Sequence, residues 1–513
     1  MFEKSILSKK YLWTETVAVI IYLFINIWTH FLYVPLKCFF LDDIALLVQF
    51  QEENMLTYLM HGHDNKFRPV SDFFLYIGYK IFDVNTKNAY IYILVFGALS
   101  CGIVCYLAIR ITDSIWFGLC VSICLSISRF AYYAVGQYFG IMESISMINA
   151  IFTLYYGISF VISDKKNEKK KYLLMNIFAL MCIFSHERYI TIYGFLFGVI
   201  FIKYLLKRDS LKYYGGIITS AVAMWIFRII YLGDVALQGT GGTNLIEQLD
   251  IFRVISFLWD GLRLLFGWNA GEGYLNGIPL KRVRLIYNIL PFAILVIFVA
   301  LIIRIVTDAR KNREYSVLKV VIAILFFVCV TTFSGCITIR LETRWIYVPY
   351  IGFMILVFYM LSRIEFGKHN LKYYKRFISC VLLFCVMIME CYFRNYWQDN
   401  YLGAEFDKYN SIYDIIEGYR DEIYSRPVVI IENIDNGVTV IDCDVINRMF
   451  TVYCNKGIVN WDYINSFSEI DEDLKDKNPI IIYVEWQKNP NIWRKEIFDI
   501  TNIYNHGEWC SIT

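Results

Sequence analysis

Two adjacent carboxylates follow the first long apolar segment of the chain, in the stretch FFLDDIALLVQF at residues 39–50. Asp42 and Asp43 stand where that segment ends, whereas a charge at the centre of a bilayer costs about 2.5–3.5 kcal/mol on lenient insertion scales. Carboxylates can act as general bases or hold a divalent metal. The pair is therefore a candidate for chemistry at the boundary between lipid and water.

Charged residues of both signs recur where other apolar runs begin or end. They lie in HGHDNKFRPVSDFF (61–74), SHERYI (185–190) and TIRLETRWIYVP (338–349). Arginine has a permanent charge and a planar fork of donors that suits phosphate, and a carboxylate beside it can deprotonate a hydroxyl. The pattern favours a shared pocket for a phosphate-bearing lipid. Its candidate members are Asp42, Asp43, His63, Arg68, His186, Glu187, Arg340, Glu342, Arg344 and Tyr347.

Each of these residues also has a simpler interpretation. Asp42 and Asp43 could cap a helix, and Arg68 could extend to lipid headgroups. His61 and His63 form an HxH pattern, which is a weak metal signature without further ligands. Independent capping would not require both signs of charge to recur at one membrane face, so the shared pocket is the preferred interpretation.

The composition indicates what kind of scaffold must position these groups. The chain has 513 residues, of which 58% are hydrophobic and 19% are charged. Soluble cores stop growing near about 250–300 residues, whereas apolar runs of about 18 or more residues suit membrane spans. We therefore predict an α-helical polytopic membrane protein, and the net charge of +3 gives no indication of a nucleic-acid partner.

About eleven transmembrane helices are predicted from the apolar runs. They lie near residues 14–36, 90–110, 115–135, 143–162, 172–186, 190–206, 214–232, 285–305, 317–335, 346–361 and 377–393. Short basic loops at 163–171, 203–212, 304–315 and 362–376 alternate with longer acidic and aromatic ones. The positive-inside rule then places the N-terminus in the cytoplasm and the C-terminal tail outside. Few prolines with abundant Ile, Tyr, Lys and Asn hint at a bacterial plasma membrane.

Residues 1–395 are predicted to form the transmembrane domain, with outward loops at 37–89 and 233–284. The first loop opens with residues 41–60, where Leu46, Leu47 and Phe50 fall within about 100° at helical spacing. This segment is predicted to be a partly amphipathic helix in the membrane interface, with the Asp pair at its start.

Residues 396–513 are predicted to form a small extracytoplasmic α/β domain. Apolar runs at 427–433 and 478–486 indicate buried strands, and 402–424 has helical spacing. The tail also contains DCD at 442–444, which looks like the DxD metal motif of nucleotide-sugar transferases. Nucleotide sugars are not expected outside the cytoplasm, so this interpretation is disfavoured.

In the order and sidedness of its motifs the sequence resembles the GT-C superfamily of membrane glycosyltransferases, specifically its bacterial members. The motifs are FFLDD at the end of the first span, FRPVSDFFLYIGYKIF (67–82), SHERYITIYGF (185–195) and ETRWIYVPYIGFMIL (342–356). The likeness covers roughly residues 10–395. It implies inverting transfer of a sugar from a polyprenyl-phosphate donor to a glycan, lipid or protein acceptor on the outer side. By position, the catalytic base it implies is Asp43, in preference to Asp42.

The same resemblance suggests how the donor is held. Arg68, His186 and Arg344 would grip its phosphate, with Glu187 orienting the histidine. Some members need a divalent cation such as Mg²⁺ or Mn²⁺, and the Asp pair, with His63 as a weaker ligand, allows one.

Three other functions compete with this interpretation. A polysaccharide polymerase or ligase would also use outward arginines and lipid-linked substrates, but such enzymes rely on large late loops. A flippase or other transporter would need ionisable residues within its spans. Most charges in this chain lie at the ends of the predicted spans, and the exceptions are Arg228, within a span, and Glu143, at the start of one. A non-catalytic scaffold predicts no penalty for removing an aspartate at the outer boundary.

Overall fold

The computed structural model describes most of the chain outside several loops and the C-terminal end. The described residues are 9–28, 37–40, 42–60, 66–163, 167–205, 211–232, 250–269, 283–364, 371–397, 403–432, 443–454, 461–464, 470, 473, 476–489 and 492–499. His61, His63 and Asp442, the first residue of the DCD stretch, lie outside them.

Helices dominate the part of the chain before residue 400. They are α1 (Lys9–Asn26), α2 (Asp42–Glu52), α3 (Met55–Met60), α4 (Pro69–Phe82), α5 (Thr86–Thr112), α6 (Ile115–Ile127), α7 (Tyr132–Gly136), α8 (Ile141–Val161), α9 (Glu168–Ser185), α10 (Ile192–Tyr204), α11 (Lys212–Leu232), α12 (Ile251–Phe266), α13 (Ile286–Asn312), α14 (Ser316–Cys336), α15 (Tyr347–Arg363) and α16 (Leu371–Trp397). Short 3-10 turns precede α7, α10 and α15.

These helices form the predicted polytopic membrane bundle. Within the described residues, seven helices are long and apolar enough to cross a bilayer, or eight if the bent pair α6–α7 counts as one span. Each of the eleven predicted segments overlaps a described helix, and the segment 115–135 overlaps two, α6 and α7. The class of an α-helical membrane protein is confirmed, while the number of eleven spans stays a prediction.

A break between α6 and α7 bends the chain by 55° and turns it back toward the bundle. Ser128 causes the break because its backbone leaves the helical region, with φ −60° and ψ 128°, and its hydroxyl accepts a hydrogen bond from Phe130 N at 3.2 Å. After α7 the chain turns again into α8. A Cβ at Gly140 would lie 1.9 Å from the carbonyl oxygen of Tyr133, so this turn requires glycine.

The tail contains the predicted α/β elements. Its helices are α17 (Gly403–Gly418) and α18 (Cys443–Tyr453), and its strands are β1 (Val428–Glu432), β2 (Trp461–Ile464), β3 (Ile480–Asn489) and β4 (Ile492–Asp499). The strand order is β2-β1-β3-β4; β1 is parallel to β2 and β3, and β4 is antiparallel to β3. The predicted strands form β1 and β3, and the domain boundary near residue 395 stays a prediction.

The helix that carries the Asp pair is enclosed by protein. Leu46, Leu47 and Phe50 are buried in a hydrophobic cluster that also contains residues of α4, α5 and α18. Gln51 Nε2 donates to the carbonyl oxygen of Val452 on α18 at 3.3 Å. The prediction that this apolar face lies against lipid is therefore wrong, because the tail and α4 cover it. The Asp pair does begin the helix, as predicted.

Candidate active site

Asp42 presents its carboxylate to solvent at the start of α2. Its side chain is 57% exposed, and the Arg344 Nη1 atom lies 4.0 Å from Oδ2. Tyr133 Oη donates to the same oxygen at 3.1 Å. The Arg344 guanidinium stacks 4.0 Å from the centre of the Tyr133 ring. One carboxylate oxygen is thus oriented by a phenol and a cation, while the group stays accessible.

Asp43, by contrast, is only 2% exposed. Its two carboxylate oxygens accept hydrogen bonds from the backbone N–H groups of Tyr138 and Phe139, each at 2.8 Å. Burial raises the pKa of Asp43 to about 7, and the two N–H donors act in the opposite direction. Asp43 therefore fastens α2 to the turn between α7 and α8.

The α6–α7 break supplies the partners of both aspartates. Tyr133 lies on α7, and the N–H groups that bind Asp43 follow within six residues. The start of the break is anchored in turn, because Arg129 N donates to Glu390 Oε2 of α16 at 2.7 Å. One irregular segment, pinned inside the bundle, therefore sets the geometry of the Asp pair.

A buried carboxylate holds two arginines beside Asp42. Glu342 is fully buried, and its Oε2 atom lies 2.5 Å from Arg344 Nε. Its Oε1 atom accepts from Arg340 Nε at 2.7 Å. Arg340 remains 41% exposed, whereas Arg344 is only 15% exposed. The arrangement keeps Arg344 against Asp42 and presents Arg340 toward the solvent side.

A second charged group surrounds the start of α4. Arg68 is buried, with Nη1 3.0 Å from the Met142 sulfur and its guanidinium 5.3 Å from the centre of the Phe139 ring. The pKa of Asp72 is raised to about 7. Burial is the main cause, the charge of Arg68 acts against it, and the charge of Glu187 adds to it. Arg68 thus meets the same turn that holds Asp43.

His186 and Glu187 lie beside this group but do not act on each other as predicted. The Nδ1 atom of His186 accepts from Arg188 N at 3.3 Å. Burial, together with the charges of Arg188 and Arg68, lowers the pKa of His186 well below its ordinary value. Glu187 instead accepts from Phe67 N at 2.5 Å. The expectation that Glu187 orients His186 is therefore not met.

Glu187 also explains the arginine within α11. Arg228 is 1% exposed, and its Nε atom lies 3.4 Å from Glu187 Oε1. Burial raises the pKa of Glu187, while Arg228 and the Phe67 N–H lower it. The charge that had suggested a transporter is thus one half of a buried ion pair.

Sequence reasoning missed Glu143 as a member of the site. Glu143 is 1% exposed; its Oε1 accepts from Arg188 Nη2 at 2.5 Å and lies 3.9 Å from His186 Nε2. Arg188 also lies 5.2 Å from the Trp345 ring, next to Arg344. The sequence signal that could have identified Glu143 is its position at the start of an apolar helix. A carboxylate buried there is costly unless a cation pairs with it.

The structure therefore brings the predicted residues into two adjoining groups. Asp42, Arg340, Glu342 and Arg344 form the first, and Arg68, His186 and Glu187 belong to the second. Tyr347 is 3% exposed and packs in the main hydrophobic core. We call the end of the bundle that carries both groups the site end.

The two carboxylates of the Asp pair differ in their accessibility to a metal ion, because Asp43 is 2% exposed and the Asp42 side chain is 57% exposed. Both oxygens of Asp43 are occupied by backbone donors, and no group of three His, Cys, Asp or Glu residues suited to a metal ion occurs within the described part of the chain. A cation held by Asp42, Asp43 and His63 stays a prediction, and no step below passes through one.

Comparisons with known proteins give a result at the level of the fold. No family model matches the chain, and no curated protein matches its sequence. The oligosaccharyltransferase of Archaeoglobus fulgidus, crystallised with a tethered acceptor peptide containing the NVT sequon, is similar with a TM-score of 0.51 at 11% identity. That match covers 94% of this chain and 69% of the oligosaccharyltransferase.

A second similar structure is ArnT from Cupriavidus metallidurans bound to undecaprenyl phosphate. Its TM-score is 0.47 at 10% identity, over 95% of this chain and 97% of ArnT. The match to the oligosaccharyltransferase shows a shared fold. The predicted GT-C-like fold is confirmed at that level.

Proposed function

We propose that the protein transfers a sugar from a polyprenyl-phosphate donor to a hydroxyl or amide acceptor on a glycan, lipid or protein, with inversion of the anomeric centre. The observation that carries this proposal is the exposed carboxylate of Asp42, which Tyr133 and Arg344 orient at the site end of a GT-C fold. The donor class is the one that the resemblance implies.

Asp42 is the proposed catalytic base, in place of Asp43. A general base must come within about 2.6–3.2 Å of the proton that it takes, and Asp42 is half exposed whereas Asp43 is buried with both oxygens bonded. Asp43 acts as a positioning residue: it fixes the start of α2, so that Asp42 faces the site.

The transfer step follows from these positions. The acceptor atom attacks the anomeric carbon from the face opposite the phosphate, and its proton passes to Asp42. The bond between the anomeric carbon and the phosphate oxygen breaks, and the electron pair leaves with the polyprenyl phosphate. Arg340, the exposed arginine of the Glu342 pair, is the proposed phosphate ligand, because arginine binds phosphate through two parallel hydrogen bonds. Arg344 keeps the base oriented.

The proposed location is the bacterial plasma membrane, with the site end facing outward. This orientation rests on the basic loops that lie at the opposite ends of the spans. A donor with a prenyl tail can then stay in the bilayer while its sugar phosphate reaches the charged groups.

Asp42 is tested by following the release of free polyprenyl phosphate. The purified protein in nanodiscs is supplied with single polyprenyl-phosphate sugars and an acceptor extract, with and without a divalent cation. Asp42→Asn should lose activity by about 10²-fold or more, the contribution typical of general-base catalysis. Asp113→Asn is the matched control, because Asp113 is 53% exposed and paired with Arg363 away from the site.

The outcome for Asp43 separates the two assignments. Asp43→Asn should lower thermal stability and activity together, since it removes one acceptor from two backbone donors. Full activity in Asp42→Asn, with a stable but inactive Asp43→Asn, would return the base to Asp43. Activity in both variants would refute a catalytic role for the pair.

A further inference from the structure

Helix α12, at the site end, is divided lengthwise into three faces. Its first face packs on the bundle: Val254, Gly261 and Leu265 fall on one side at about 100° per residue and are buried. A Cβ at Gly261 would lie 2.9 Å from Thr332 Cγ2 of α14. At the end of the helix, outside this face, Phe266 packs on Phe353 of α15 with ring centres 4.9 Å apart. This face fixes α12 to the bundle.

The second face is apolar and uncovered. Ile251, Phe252, Ile255 and Trp259 fall within about 100° of one another, and they are 66%, 84%, 59% and 64% exposed. Singly exposed apolar residues are ordinary, but a contiguous row of large ones marks an interaction surface. The row faces away from the side that packs on α14.

The third face is polar. Arg253, Ser256, Asp260 and Arg263 fall within about 80° at helical spacing, and Arg263 Nη1 lies 3.3 Å from Asp260 Oδ1. A helix that spans a bilayer would not carry such a row toward lipid. A helix in water would not carry the apolar row. The two rows lie side by side on one helix, so α12 is suited to contact an apolar medium on one side and water on the other.

We propose that α12 lies at the boundary of the bilayer, with its apolar row among lipid tails and its polar row in water. Lipid is the occupant that the surroundings favour, because α12 packs against α13, whose Ile289 and Phe292 are themselves 55% and 58% exposed. The apolar row thus continues the lipid-facing surface of the bundle. Tryptophan at such a boundary is typical of membrane interfaces. This inference rests on the membrane class and not on the transfer reaction.

Photocrosslinking tests the assignment. In the full-length protein, p-benzoylphenylalanine replaces Phe252 in one variant and Ser256, on the polar face, in the matched control. Both variants are placed in phosphatidylcholine–phosphatidylglycerol nanodiscs, irradiated and analysed by mass spectrometry. A monodisperse size-exclusion profile establishes that each variant is folded.

The expected result is a clear excess of lipid adduct at position 252 over position 256, because the proposal places only position 252 among lipid tails. Equal lipid adducts at the two positions would overturn the proposal. Crosslinks at 252 to another protein chain would also overturn it, and would identify the row as a protein interface.

Discussion

Replacing Glu342 with glutamine tests how the arginines of the site are held. The carboxylate of Glu342 is fully buried and meets Arg344 through one oxygen and Arg340 through the other. In Glu342→Gln the amide oxygen can still accept from one arginine. The amide N–H₂ group then faces the N–H of the other, so one contact becomes a clash between two donors.

The cost of this change follows from the exposure of each partner. The contact between Glu342 Oε2 and Arg344 Nε is an ion pair in which Arg344 is only 15% exposed, so we expect its loss to cost about 1.5–3 kcal/mol, the range for removing a partner of a charged group. Arg340 is 41% exposed, and solvent screening reduces its contribution to about 0–1 kcal/mol. We expect Glu342→Gln to lower the free energy of unfolding by about 2–4 kcal/mol.

The measurement is equilibrium unfolding in mixed micelles of lipid and sodium dodecyl sulfate, followed by tryptophan fluorescence. Arg340→Gln is the matched control and should cost about 1 kcal/mol or less. A double-mutant cycle between Glu342→Gln and Arg344→Gln should give a coupling of about 2 kcal/mol. If Glu342→Gln costs no more than Arg340→Gln and shows no coupling to Arg344, the buried carboxylate does not hold the site together.

Three further predictions concern the surroundings of the site. Arg228→Gln leaves a buried carboxylate without its cation and should cost about 3–5 kcal/mol of unfolding free energy, whereas Arg304→Gln, at an exposed pair, should cost under about 1 kcal/mol; equal losses would contradict the pairing. The lowered pKa of His186 means that the unfolded chain binds this proton more readily, so stability should fall as the pH drops through about 6.5. His186→Asn should flatten that part of the stability–pH curve, and an unchanged curve would remove His186 as its cause. Gly140→Ala must displace the backbone of α7 and should lower activity and cost about 1–3 kcal/mol, while Gly136→Ala, with open space around its Cβ, should be tolerated in the same thermal-shift and release assays.

The class of fold could be predicted from the sequence because length and hydropathy alone decide it. An apolar run of about 20 residues can cross a bilayer as a helix, which satisfies its backbone hydrogen bonds within the segment. The helix that begins at Pro69 and the short turn at His186 were also predictable, since proline and closely spaced polar residues mark helix starts locally. Both features depend only on residues that are close together in the chain, so the local sequence is enough to predict them.

The orientation of the two aspartates could not be predicted in the same way. Asp42 and Asp43 are adjacent, so helical geometry turns them about 100° apart, but only the packing of α2 decides which one faces the site. That packing involves Val452 of the tail and the turn at Phe139. Both partners are far away in sequence, and both act through backbone atoms.

The membrane-interface helix shows the same limit. Residues 41–60 and α12 both have apolar rows at helical spacing, and the sequence favoured the former. The difference lies in what covers each row: α18 and α4 enclose α2, while Phe252 of α12 stays 84% exposed. A hydrophobic pattern predicts that a face will be buried, but it does not tell protein from lipid.

The way Asp43 is bound has a consequence for the residues around it. Its partners are two main-chain N–H groups, which every residue except proline provides. The bonds to the carboxylate therefore do not themselves specify the side chains at 138 and 139. Those side chains are constrained by their own packing instead, because Tyr138 is fully buried and Phe139 meets the Arg68 guanidinium. The acid is held by the path of the main chain, and the turn keeps that path through contacts that do not involve the acid.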